Sequence, residues 1–306
     1  MKKNKLNSDI SIFIKKLVTH NGSFHADDIF ATAVLSLLLE KKGEKFEIIR
    51  TRDHKIIENG NYVYDVGGIY DEEKNKFDHH QKEGVGKREN GIEYSSFGLI
   101  WKKFGIEVAG GQREKEIIEE KLVAPVDAGD NGIDLVENKC EIAPYYLQNM
   151  FFAMLPTWRE DIETDEIFKE AVEVAKNILN REIIQARDYV LAEKEIKEIY
   201  KNTEDKRLLY LEKNYFYENI FFSFKETLFV IYPKKDSNTW GVKAIREDPK
   251  SFKNKKDFPS SWAGLRDEEL QKATGVPDAV FCHKALFLVV AKTKEGAKAL
   301  AELALK

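Results

Sequence analysis

Residues 16–43 read KLVT-HNGSFHADD-IFATAVLSLLLEKKG: a short β-rich run (Lys16 to Thr19), a loop with two imidazoles and two carboxylates, and an apolar helix-forming stretch. Ile29, Phe30, Ala33, Val34, Leu37 and Leu38 recur at helical spacing from Asp27 to Lys42, and Gly43 supplies the stop. A strand running through a functional loop into a buried helix is the opening unit of an α/β fold. In open α/β sheets ligands sit outside the carboxyl ends of the strands. His20, His25, Asp27 and Asp28 fall at that place, although two acids at a helix start also have a purely structural use against the helix dipole.

The same chemistry recurs at later strand ends. Phe46 to Arg50 and Tyr62 to Val66 read as strands, the second carrying Asp65 ahead of Gly67-Gly68, where backbone can be approached closely. Residues Ile69 to Phe77 read as a hairpin that delivers Asp78-His79-His80. Tyr94 to Phe104 and Lys115 to Ala124 read as helices, and Pro125 to Gly132 as a turn-rich loop carrying Asp127 and Asp130. Four of the six histidines lie in two short motifs. Carboxylates with imidazoles and no thiolates suit a borderline-hard divalent cation, Mn²⁺ first and Mg²⁺ or Zn²⁺ after it, and speak against structural zinc. A carboxylate bridging two cations about 3.5–4 Å apart is the arrangement that hydrolyses phosphate esters.

The rest of the chain sets the frame. No Gly or Pro interrupts Thr164 to Thr203, which reads as one or two long helices. Beyond Arg207 the character changes to strands at Leu208 to Leu211, Leu228 to Tyr232, Gly241 to Ile245, Val280 to His283 and Leu286 to Val290, closed by a helix over Lys294 to Leu305. The expected organisation is an α/β protein: a mainly parallel-sheet catalytic domain over 1–163, a helical linker over 164–205 and a smaller α/β domain over 206–306. At 306 residues with 42% hydrophobic and 33% charged residues, two globular cores are expected. The apolar, uncharged run Ile29 to Leu39 is eleven residues, well short of the roughly 20 a span needs, so no membrane span is expected. The amino-terminal residues do not read as a secretion signal, and a cytoplasmic protein is expected. Cys140 and Cys282 match no zinc or redox spacing and read as isolated thiols. With 49 basic against 53 acidic residues the net charge is −4, which argues against a surface that holds nucleic acid by bulk electrostatics. Lys82 to Arg88 and Lys250 to Lys256 are the local basic runs.

The strings THNGSFHADD, YDVGGIYD, FDHHQ, YSSFGLIW and PVDAGDNGID, followed by WGVKAIRE, SWAGLRDEEL and FCHKALFLVVAKTKEGA, closely resemble the melanocyte-proliferating-gene-one family, a branch of the DHH phosphoesterase superfamily. The match spans nearly the whole chain. The resemblance implies a DHH-type fold and a ligand set of His20, His25, Asp27, Asp65, His79 and Asp127, with Asp65 bridging two cations. It further implies that His80 faces the scissile phosphate, that Asp78 orients a histidine, and that Asp28 belongs to the catalytic group. The pattern departs from the wider superfamily by a His where an Asp is usual and one extra residue after His20. It leaves open His25 or Asp28, and Asp127 or Asp130, as ligands. The carboxyl-terminal GGGH clamp of many relatives is missing; Arg246, Arg266, His283 and Lys284, with Lys82 from the first domain, are the candidate phosphate grips, and Trp262 and Phe281 the candidate stacking rings. By resemblance the activity is a 3'-to-5' exoribonuclease on short single strands. A small-phosphoanhydride hydrolase and a metal-bound RNA-binding module are the alternatives, and oligomeric state is not legible.

Overall fold

A computed structural model describes residues 14–306 apart from positions 216 and 236. The amino-terminal stretch read above for a secretion signal lies, up to residue 13, outside the described residues. The chain divides into two compact units between Arg187 and Asp188.

The first unit runs β1 (Lys15–Thr19), α1 (Ala26–Lys42), β2 (Phe46–Arg50), α2 (His54–Glu58), β3 (Tyr62–Tyr64), β4 (Tyr70–Asp71), β5 (Lys76–Phe77), α3 (Ser96–Ala109), α4 (Gln112–Ile118), a π-helical turn (Glu119–Val123), α5 (Ala124–Asp130), α6 (Leu147–Phe152) and, up to Arg187, α7 (Thr164–Asn202), whose remainder belongs to the second unit. Its sheet has the order β2-β1-β3-β5-β4, parallel except for the β4–β5 hairpin. Helix α1 is apolar around most of its circumference and is buried accordingly, as a core helix must be. It packs along α3, with the rings of Phe30 and Phe97 stacked at 5.2 Å. Each large side chain so buried contributes about 2 kcal/mol. Gly43 closes α1 in the left-handed conformation, φ 68°, where a Cβ would be strained.

One expectation changes here. Residues 125–130, read as a loop because of their Pro and Gly, form α5. Proline is tolerated in the first turn, where the amide has no intrahelical partner anyway, and the preceding π-turn delivers a chain already coiled. The segment expected as a helical linker forms one unbroken helix, α7. Its residues Phe168, Val172, Leu179 and Ile183 belong to the first core, and Ala192 and Ile196 to a core of the second unit.

The second unit continues with β6 (Leu208–Tyr210), α8 (Glu218–Phe221), β7 (Phe229–Pro233), β8 (Trp240–Ala244), α9 (Asp267–Thr274), β9 (Ala279–Cys282), β10 (Leu288–Ala291) and α10 (Lys294–Leu305). Its sheet, β6-β7-β8-β10-β9, is antiparallel apart from β6–β7. Alternation along β8 and β10 places Val242, Ala244, Val289 and Ala291 in one core with Leu300 and Ala301 of α10. Trp262 lies in that core, 4% exposed, and is unavailable for stacking. Cys282 is buried there and Cys140 is exposed; both are free. No described helix is long and apolar enough to cross a membrane.

Candidate metal centre

Strands β1, β3 and β5 are consecutive parallel neighbours, so the loops that leave their carboxyl ends emerge side by side, about 5 Å apart per strand. Those loops carry His20 to Asp28, Asp65 to Gly68 and Asp78 to His80. Asp65 is the first residue beyond β3 and adopts a left-handed backbone, φ 54°, which Asp and Asn tolerate better than other side chains. The turn points its carboxylate between the other two loops. Asp65 Oδ2 lies 3.0 Å from His20 Nε2 and Asp65 Oδ1 lies 3.3 Å from His79 Nε2. His79 Nε2 in turn lies 3.3 Å from Asp130 Oδ2 and 3.9 Å from Asp27 Oδ2. Two ligands bound at right angles to one cation at about 2.1 Å are about 3 Å apart, so these spacings are those of a ligand cage.

The donor chemistry passes the same test. His20 Nδ1 is 3.1 Å from the Asn21 carbonyl oxygen, and donating a proton there leaves Nε2 with the lone pair, the tautomer a metal-binding imidazole needs. Asp27 Oδ1 and His79 Nε2 are buried without a hydrogen-bond partner among the described residues. Such orphaned groups are costly unless something absent from the protein chain satisfies them. His20, His25 and Asp65 offer ligand atoms within 4.8 Å of one another, as do Asp65, His79 and His80, and His25, Asp27 and Asp130.

The electrostatics of the bare protein show what the cage lacks. Burial, then the charges of Asp65 and Asp130, raise Asp27 well above the ordinary carboxylate range. Burial also raises Asp28 and Asp130. Burial opposes the imidazolium of His20, yet the carboxylates of Asp28 and Asp65 outweigh it and push the group up to about 10. Desolvation works against the Asp65 carboxylate, but the close imidazoles of His20 and His79 hold it well below the usual range. Without a cation the site must gather protons to relieve crowded negative charge, and divalent ions would replace them.

A second layer fixes the first. Asp78 accepts from the amide of Gly68 at 2.6 Å and from the amide of His80 at 3.0 Å, and its Oδ1 is 2.8 Å from His80 Nδ1. That last hydrogen bond raises the His80 imidazole. Asp78 thus holds one ring nitrogen of His80, whose side chain is 63% exposed. Arg50 braces the first loop, donating to the Gly22 carbonyl at 2.7 Å and to Asp165 at 2.7 Å.

Not every candidate joins the cluster. Asp127 stands apart, its oxygens taken by Arg88 Nη2 at 2.6 Å, Ser95 Oγ at 2.5 Å and the Gly98 amide at 3.1 Å. Asp130, one turn further along α5, faces His79 instead. Asp28 is fully buried, with Oδ1 on the His25 amide at 2.9 Å and Oδ2 3.3 Å from His20. Lys82 is exposed on the loop after His80. A cleft of ≈ 810 Å³ opens over the cluster, and its wall includes Arg52, Asn131, Gln148 and Phe152, none of which the sequence patterns single out. Gln148 Oε1 accepts from the Ala26 amide at 2.6 Å, tying α6 to the start of α1.

In the second unit, Arg246 is held by Glu218 in a two-pronged pair, at 2.9 and 3.1 Å, and by backbone carbonyls of Pro249 and Ser251. It braces a loop and does not present a phosphate grip. Arg266 lies over the Phe281 ring at 4.3 Å, and the ring of Phe281 leads to His283 at 6.1 Å and on to Phe287 at 4.3 Å. Lys243 Nζ covers Phe287 at 4.9 Å, so cations and rings alternate in one strip; Lys284 is exposed beside it.

The model of an uncharacterised protein family (UPF0160) matches residues 16–305. The MYG1 protein C694.04c of Schizosaccharomyces pombe is 30% identical over 319 residues, which cover 95% of this chain and 97% of that protein. The MYG1 exonuclease of Homo sapiens is 30% identical over 331 residues, covering 95% of this chain and 85% of its own. Among solved structures, RecJ in complex with Mn²⁺ from Thermus thermophilus is similar at 12% identity with a TM-score of 0.25, covering 95% of this chain and 52% of that one; so loose a superposition bears on neither fold nor site.

Proposed function

We propose that this chain, which belongs to the uncharacterised protein family UPF0160 together with the MYG1 proteins, is a metal-dependent phosphodiester hydrolase that trims short single-stranded RNA from its 3' end. The observation that carries the reading is the Asp65 carboxylate, one oxygen turned to His20 and the other to His79. Two divalent cations fit that arrangement, Mn²⁺ best and Mg²⁺ as well: the first held by His20, His25 and Asp65, the second by Asp65, Asp27, His79 and Asp130. When bound, they supply acidified water and neutralise charge at the phosphoryl group.

The chain's own residues do the remainder. His80, oriented by Asp78, offers a proton from its outer ring nitrogen to the departing ribose oxygen. Phe152, 44% exposed on the cleft wall and edge-on to His25 at 6.0 Å, suits a terminal base. Arg52 suits a phosphate. The strip of Arg266, Phe281, His283 and Phe287, with Lys284 beside it, suits successive bases and phosphates of a single strand, since stacking on aromatics needs no particular sequence. Arg266→Ala and Phe281→Ala are therefore expected to raise KM for a 12-nucleotide RNA by roughly 5- to 30-fold, from about 1–2 kcal/mol per lost contact. Their Mn²⁺ affinity should match wild type; an unchanged KM in both variants removes the strip from substrate binding.

A second reading, hydrolysis of a small phosphoanhydride, has one observation in its favour: Arg52 is the sole lysine or arginine among the described residues lining the cleft, on a chain of net charge −4. The two are separated by supplying Mn²⁺ and measuring turnover of 3'-labelled oligoribonucleotide, the matching oligodeoxynucleotide and pyrophosphate side by side. The oligoribonucleotide is expected to be the preferred substrate by kcat/KM. Preference for pyrophosphate would replace the first reading by the second, and cleavage of none with cations bound would leave a metal-bound binding module.

A further inference from the structure

The amino-terminal end of α3 is capped by other parts of the chain. Ser95 stands at the cap position, yet its hydroxyl does not serve its own helix and instead donates to Asp127 Oδ1 at 2.5 Å. The free amides at the helix start go to two buried carboxylates: Ser96 N to Asp27 Oδ2 at 3.0 Å and Gly98 N to Asp127 Oδ1 at 3.1 Å. A Cβ on Gly98 would lie 1.8 Å from Asp127 Oδ2, so glycine is what permits this approach. Asp127 Oδ2 is held in turn by Arg88, whose guanidinium also donates to Glu119, the first residue of the π-turn, at 2.5 Å. The same guanidinium lies over the Tyr94 ring at 4.2 Å.

We infer that Arg88 and Asp127 form a positioning pair that sets the two carboxylates, Asp27 and Asp130, on which the second cation depends. This rests on the two-cation reading above. Asp127 locks the start of α3 to α5, and the α3 amide two residues before Gly98 fixes Asp27 Oδ2, the oxygen 3.9 Å from His79 Nε2, leaving Oδ1 without a partner among the described residues. On α5, Asp130 follows Asp127 by one turn, so the same lock determines the angle at which Asp130 meets His79. A buried ion pair is poor value for stability alone, since desolvating both charges cancels most of their attraction. Its use lies in fixing one arrangement of three elements that converge on the cations.

Mn²⁺ binding to Asp127→Asn, followed by calorimetric titration and by the electron paramagnetic resonance signal of an exchange-coupled Mn²⁺ pair, tests the inference. The first Mn²⁺ should bind as in wild type. The second should bind about 10- to 100-fold more weakly, the usual consequence of losing a group that orients ligands, and the coupled-pair signal should appear only at correspondingly higher Mn²⁺. Arg88→Lys, which keeps the charge but not the forked contact with Glu119 and Asp127, should fall between the two and carries the test if Asp127→Asn does not fold. Two cations bound with wild-type affinity overturn the inference, as does a parallel weakening of both with a lowered melting temperature, the mark of a merely structural pair. A wild-type protein that never takes up a second Mn²⁺ overturns the two-cation reading and this inference with it, a failure seen before any variant is made.

Discussion

Asp65→Asn is expected to lower kcat on an oligoribonucleotide by at least on the order of 10³-fold while leaving the fold intact. The substitution exchanges one carboxylate oxygen for an amide NH₂, which has no lone pair to offer a cation, so on the proposed two-cation reading one of the two sites would lose a ligand. The backbone tolerates the change. Position 65 has φ 54°, and Asn is among the few residues that occupy this region readily. Losing the Asp65 charge eases the repulsion that raises Asp27 but also removes a carboxylate that the His20 and His79 imidazoles stabilise, so the cation-free variant should fold yet melt somewhat below cation-free wild type. Wild type should instead gain about 2.7 kcal/mol when Mn²⁺ is present at a hundred times its dissociation constant, or roughly 5–10 °C in melting temperature. The variant should show little of that shift. Retained turnover, or an undiminished Mn²⁺ shift, would show that Asp65 does not hold cations.

How far the site was legible depended on whether its determinants are local. His20 to Asp28 and Asp78 to His80 announce themselves because titratable side chains are packed at strand ends, and Gly67-Gly68 marks the sharp turn that aims Asp65. The strand order that brings these loops together follows from short parallel units around a buried helix. The choice between Asp127 and Asp130 was not legible. It is made by Arg88, 39 residues away in sequence from Asp127, and by a helix that Pro125 and Gly129 disguise as a loop. Asp27 and Asp28 are equally buried and alike in sequence; only their contacts separate them, Asp28 on His20 and the His25 amide and Asp27 on the Ser96 amide. Arg246 looked free in sequence because its partner Glu218 belongs to another element. By contrast α7 was readable at length, since no Gly or Pro interrupts it, but periodicity does not say which core each part of a helix serves.

His80→Gln carries the second large effect, and the leaving group decides its meaning. Asp78 accepts from both the backbone amide and the ring of His80, so the imidazole is held in one orientation with its outer nitrogen free, and its basicity is raised by that contact. A proton donor so placed matters when the departing oxygen is a poor anion. On an oligoribonucleotide, where the ribose 3'-oxygen must be protonated as it leaves, turnover is expected to fall by about 10²- to 10⁴-fold, the usual range for a lost general acid. On the p-nitrophenyl ester of uridine 5'-monophosphate the departing group is already stable as an anion, so the loss should be under about tenfold by the same reasoning. Because the His80 side chain is 63% exposed, added imidazole can enter its place and should restore part of the lost activity. His80 also stands within ligand reach of Asp65 and His79, which makes a competing role concrete. If it holds a cation, Mn²⁺ affinity falls and both esters suffer alike; equal losses on the two substrates would therefore end the general-acid assignment.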